Sequence, residues 1–162
     1  MKMKFKNWED YHHQIYRIYH GIIALSLVPF FLVFLELEVA SIKEPRVSSL
    51  WIYLILFVLI PICIFLMWRV WKVEKSESEN TDFQLREKLI LFRKIEVRKY
   101  LELELACILG LVGLWLTAHY LFVIIYFAVL AQFSFLRPSE DRFVRNMRLT
   151  KAERKQLHEE TI

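Results

Sequence analysis

The sequence predicts an all-α polytopic membrane protein, a four-transmembrane-helix bundle with helical extensions on one side. Three observations carry that expectation. The 162-residue chain is 56% hydrophobic with a mean hydropathy of +0.33, too apolar for an ordinary soluble domain. Only three Gly and four Pro interrupt it, and the alternating pattern of a membrane β-barrel is missing, so the apolar runs read as helices. Twenty of the 22 Lys and Arg residues fall on one side of those runs.

The first run covers about residues 15–37 and contains Pro29; the second covers about 49–71 and contains Pro61. Each exceeds the roughly 20 residues that cross a hydrocarbon core. Neighbouring helices can re-satisfy the backbone group a membrane proline frees, so both prolines are compatible with spans. A cleavable signal peptide is not expected, because a long charged and aromatic segment precedes the first run and no small-residue cleavage site follows it.

From Leu101 to Leu136 the chain stays largely apolar, with Thr117-Ala118-His119-Tyr120 as the one polar interruption near the centre. A single straight helix there would be on the order of 54 Å long, well beyond a core of about 30 Å. The stretch is therefore expected to fold into two short spans, about 101–117 and 120–136, with a re-entrant hairpin as the alternative. Trp8, Tyr16, Tyr19, Trp51, Tyr53, Trp68, Trp71, Tyr100 and Tyr120 lie near run ends, where amphipathic rings favour headgroup depth.

Charge sets the orientation. Lys2, Lys4, Lys6 and Arg17 accompany the N-terminal segment; nine Lys and Arg lie between 69 and 99, and seven from Arg137 onward. Lys43 and Arg46 alone remain for the first loop. Four spans with both termini cytoplasmic satisfy the positive-inside rule for all of them, and three spans would not. The basic excess is thus explained by topology and by anionic lipid headgroups at the cytoplasmic face, without a nucleic-acid partner. A bacterial inner membrane is the expected location.

Outside the spans, Ser76 to Asp82 reads as a polar hinge. Thr81-x-x-Gln84 has capping-box form and opens an amphipathic helix over 82–99, with Leu85, Leu89, Phe92 and Ile95 on one face, leading into the third span. Thr150-x-x-Glu153 opens a short charged helix within the cytoplasmic tail, 138–162, and Asn7-x-x-Asp10 suggests that the first helix starts before the membrane.

Ionisable groups inside spans are costly and so are functional candidates. By depth, His20, Arg69, Glu102, Glu104 and Gln132 fall in one inner-leaflet layer. Glu102 and Glu104 stand about 200° apart around a helix and cannot both address one neighbour. In one reading, His20 and a Glu form a proton- or cation-binding site. In the other, the favoured one, Arg69 neutralises a Glu, and His20 bonds a carboxylate or a tyrosine such as Tyr16.

Bis-His haem is not expected, because His20 and His119 lie at opposite faces, on the order of 20 Å apart in depth. Glu9-Asp10-x-His12-His13 has the flavour of a metal box, but Arg17 shares a face with His13 and His20, which argues against a metal. Cys63 and Cys107 lack any CxxC spacing and read as small buried hydrophobes. No cofactor is expected, since glycine-rich cradles and nucleophile motifs are missing from the sequence.

Ala106, Gly110, Gly113 and Thr117 form a small-residue seam, a close-packing device of membrane helices. The expected partner is the fourth span through Ala128 and Ala131, with a subunit contact as the alternative. Together these features point to a non-enzymatic subunit or accessory protein of a membrane complex, working as a homo-oligomer or within a larger assembly. A proton- or cation-conducting channel or carrier is the second reading.

Overall fold

A computed structural model describes residues 8–39, 45–76 and 84–157. Among them the chain is helical throughout, without strands: α1 (Trp8–Val39), α2 (Ser49–Ser76), α3 (Leu85–Thr117), α4 (Leu121–Phe135), α5 (Glu140–Asn146) and α6 (Lys151–Leu157). The first three are long and apolar enough to cross a membrane. A fourth crossing counts only if α4 and α5, bent 79° to each other, form one broken unit. With 15 residues, α4 is about 22 Å long, short of a hydrocarbon core of about 30 Å. The chain is an integral membrane protein by these lengths and compositions.

Hydrogen bonds give the directions. Tyr11 donates to the Leu89 carbonyl and Ser26 to Glu104, both at a sequence offset of 78. A constant offset means that α1 and α3 run parallel. The α4 contacts run the other way: Tyr19 Oη donates to the Phe133 carbonyl at 2.9 Å, and higher up Phe30 stacks on Tyr126 with centroids 3.9 Å apart. The α2 contacts do likewise, with Cys63 at Ala106 and Arg69 at Glu102. The bundle is up-down-up-down around α3, which packs against α1, α2 and α4.

The turn between α3 and α4 shows why the polar tetrapeptide breaks the apolar stretch. Thr117 Oγ1 donates to the Gly113 carbonyl at 2.7 Å and accepts from the His119 N–H. Ala118 takes a left-handed conformation (φ 51°), and its N–H returns to the Leu114 carbonyl at 2.8 Å, closing α3. His119 Nδ1 accepts from the Leu121 N–H at 3.2 Å, satisfying one donor at the start of α4. His119 therefore has a capping role that the sequence reading did not assign.

The small-residue seam meets α4 at Gly110 and Gly113, as expected, but through Phe122 rather than through Ala128 and Ala131. A Cβ at Gly113 would lie 2.4 Å from ring atoms of Phe122, so Gly113 is a socket for that ring. Ala106 lies instead at α2, its carbonyl 3.7 Å from Cys63 Sγ. Ala128 and Ala131 face outward and take no part in the seam. The correction is geometric: a ring at the start of α4 fills the notch, and this rotates the alanines away.

Two apolar clusters divide the molecule. One fills the bundle and includes Tyr19, Phe30, Leu66, Leu103, Leu114, Phe122, Tyr126 and Phe133. The other, at the basic end, gathers Trp8, Tyr11, Leu85, Leu89, Phe92, Phe143, Met147 and Leu157. There Phe143 stacks on Trp8 and meets Phe92 edge-on at 5.1 Å. Arg142 and Phe143 thus bring the segment after α4 back onto α3.

Caps agree in part with the sequence reading. The Gln84 N–H donates to Glu87 at the start of α3, while Thr81 and most of the hinge at 76–82 lie outside the described residues. Thr150 and Glu153 exchange bonds reciprocally at 2.8 to 3.3 Å, a complete capping box on α6.

Candidate functional site

The five polar residues placed in one layer by sequence separate into distinct environments. Glu102 Oε1 lies 3.2 Å from Arg69 Nε on α2 and 3.2 Å from Arg98 Nε one turn back on α3. Two guanidinium groups thus share one carboxylate. Gln132 Nε2, on α4, donates to the Met67 carbonyl of α2 at 3.0 Å, and its Oε1 is buried without a hydrogen bond.

Glu104 turns the opposite way, as the 200° step requires. It is buried against α1, where Ser26 Oγ donates to Oε2 at 3.0 Å. Tyr126 Oη, 3.4 Å from Ser26 Oγ, extends the group to α4. Glu104 Oε1 is buried and has no hydrogen-bond partner among the described residues. A buried, half-satisfied carboxyl is expensive in an apolar bundle. Glu102 Oε2 is also buried and unsatisfied, but Glu102 has two arginines, whereas Glu104 has no ion pair among the described residues.

His20 does not join these residues. The α1–α3 offset sets it level with Arg98, about a turn short of Glu102, and its side chain is exposed. Its ring packs edge-on against Tyr16 at 4.3 Å. The single layer of five therefore reduces to an Arg69–Glu102–Arg98 group, a Gln132 bond, and a separate Glu104–Ser26–Tyr126 group. Depth along a helix is readable from sequence; the side of the helix on which a residue falls depends on its neighbours.

Sequence reasoning missed the most strongly charged interior site. Glu96, wholly buried on α3, has Lys99 Nζ 2.6 Å and Arg142 Nη2 3.3 Å from Oε1, with Tyr100 Oη donating to Oε2 at 2.8 Å. Tyr100 Oη also reaches the Leu136 carbonyl, and Arg142 Nη1 the Arg137 carbonyl. Lys99 is itself fully buried, ion-paired to Glu96 but without hydrogen-bond geometry. A signal existed: Glu96 and Lys99 continue the stripe of Leu85, Leu89 and Phe92 at helical spacing, so both lie on the inward face. Arg142, from a distant segment, had none.

At the opposite end Arg46 binds Glu36, stacks over Trp115 at 4.4 Å and donates to the Trp115 carbonyl at 3.1 Å. Tyr120 Oη donates to Glu38 at 2.6 Å. No group of three or more His, Cys, Asp or Glu suited to a metal ion occurs among the described residues. No family model, no curated protein and no solved structure matches this chain.

Proposed function

We propose that the protein is a non-enzymatic accessory or assembly subunit of a membrane complex, crossing a bacterial inner membrane four times with both termini cytoplasmic. The positive-inside rule supports that orientation, because α1 and α3 begin, and α2 and α4 end, at the basic side. Supporting the functional reading is α2, which packs one side against α3 and leaves the other to its surroundings. It is buried at Cys63, Leu66 and Val70, while Leu50, Trp51, Tyr53, Phe57, Phe65 and Trp68 are each more than half exposed. Such an aromatic-rich face, on a helix bonded to its own bundle by few polar groups, suits packing against another protein's span.

Photo-crosslinkers at Phe57 and Phe65, compared with Leu25 and Leu32 on α1, test it. The reading expects one heterologous membrane protein to be captured from α2 alone, and its level to fall when this protein is deleted. Capture of lipid alone from both helices would refute it.

A second reading, proton or cation carriage, is favoured by one observation, the half-satisfied Glu104 carboxyl. It expects reconstituted protein to dissipate a pH gradient, with Glu104→Gln abolishing the flux. An unchanged gradient with native protein removes it.

A further inference from the structure

At the basic end, α1 and α3 enclose a groove of about 530 Å³ lined by Ile18, Ile90, Arg93, Lys94, Val97, Arg98 and Leu101. Its chemistry is two-sided. Three cations and no carboxylate stand among the lining residues, and the remaining four are apolar. Ile90, Val97 and Leu101 with Arg93, Lys94 and Arg98 form one stripe of α3, so charge and apolar surface alternate along the same wall.

The apolar stripe runs on past the groove's last lining residue, Leu101. Leu105, Ile108 and Val112 continue the stripe at helical spacing, and with Leu101 all four are 40% or more exposed. From Leu101 to Val112 the track is roughly 16 Å long, comparable to much of an acyl chain. The cations sit where the apolar stretch begins, which is headgroup depth. Arg98 already contacts Glu102, a carboxylate that it shares with Arg69.

We infer that this groove is a binding site for an anionic phospholipid, with the phosphate at Lys94 and Arg98 and one acyl chain along Leu101, Leu105 and Ile108. The assignment rests on the proposed placement of the basic end in the anionic leaflet, but its test does not. Basic pockets between membrane helices recognise anionic headgroups by this combination of charge and apolar wall.

The full chain, purified in a neutral detergent, is titrated with phosphatidylglycerol or phosphatidylcholine of equal acyl length, and retained lipid is counted by native mass spectrometry. The expected result is about fivefold stronger retention of phosphatidylglycerol, weakening as salt rises. Lys94→Gln with Arg98→Gln removes that preference, whereas Lys151→Gln with Lys155→Gln, at the same end but off the groove, preserves it. Ile18→Trp fills the groove without altering any charge and also removes it. Should that variant fail to fold by near-UV circular dichroism, Val97→Trp fills the groove from the other wall and is read the same way.

Equal retention of the two lipids overturns the inference, as does equal loss in both charge variants, which signifies diffuse attraction. Displacement of the lipid by millimolar inorganic phosphate would assign a free-anion site instead. A dimer that forms at the expense of bound lipid and is broken by Ile18→Trp would assign the groove to a second copy. None of these outcomes bears on the α2 crosslinking, so the two readings fail independently.

Discussion

Glu96→Gln is the most informative single change in this molecule, because it removes charge while keeping shape. The side-chain amide can still accept from Tyr100, so Glu96's negative charge is what is lost. Around Oε1, Lys99 lies at 2.6 Å and Arg142 at 3.3 Å. At an effective dielectric of about 20, these pairs represent roughly 6 and 5 kcal/mol of attraction. Desolvation, several kcal/mol per ion, opposes them in the native protein and persists after the change. Two buried cations then remain without their counter-charge.

Breaking a buried pair in this way costs about 3–5 kcal/mol, or on the order of a hundredfold or more in the folded population. Denaturant unfolding of the detergent-solubilised protein, followed by near-UV circular dichroism, measures it. Glu96→Gln with Lys99→Met should recover about half of the loss or more, because one stranded cation is gone. A single-variant cost under about 1 kcal/mol would refute the argument, since it would mean that water reaches the cluster and screens it.

The remaining predictions concern packing and pH. Gly113→Ala forces a Cβ to 2.4 Å from the Phe122 ring and is expected to cost about 1–3 kcal/mol of overpacking. Phe122→Leu alone leaves a cavity, and the double variant should be more stable than additivity predicts; strict additivity in thermal unfolding would argue against the socket. For Glu153, burial raises the carboxyl pKa, but hydrogen bonds from Lys88, the Thr150 backbone and the Thr150 side chain outweigh it and hold the carboxyl below its usual 4.5. A depressed carboxylate contributes stability above its unfolded pKa and loses it as pH falls through the folded one. The docking of α6 should therefore weaken only below about pH 4.5, and Lys88→Met should move the Glu153 carboxyl midpoint upward in a carbon-13 NMR titration. A midpoint unaffected by Lys88→Met would remove the 2.6 Å Lys88–Glu153 pair from the account.

The contrast between Glu102 and Glu104 shows how far local sequence reaches. Their divergence follows from two residues of helical rotation, so it needed no structure. That Ser26 meets one and Arg69 the other needed the register of α1 and α2 on α3, which short-range pattern does not encode. His20 shows the same limit from the other side: its position along α1 was readable, and its outward direction was not.

By itself the sequence determined the helical class, the apolar runs, the break at Thr117–Tyr120 and the segregation of basic charge. Each follows from local hydropathy, hydrogen-bonding capacity or charge, properties that a residue carries wherever it is. The tertiary structure decided what those residues meet. It seated Phe122 in the Gly113 notch and brought Arg142 back to Glu96. It also left the cationic, apolar-walled groove open between α1 and α3. Those outcomes depend on helix rotation and register, which are set by the packing of side chains far apart in the chain.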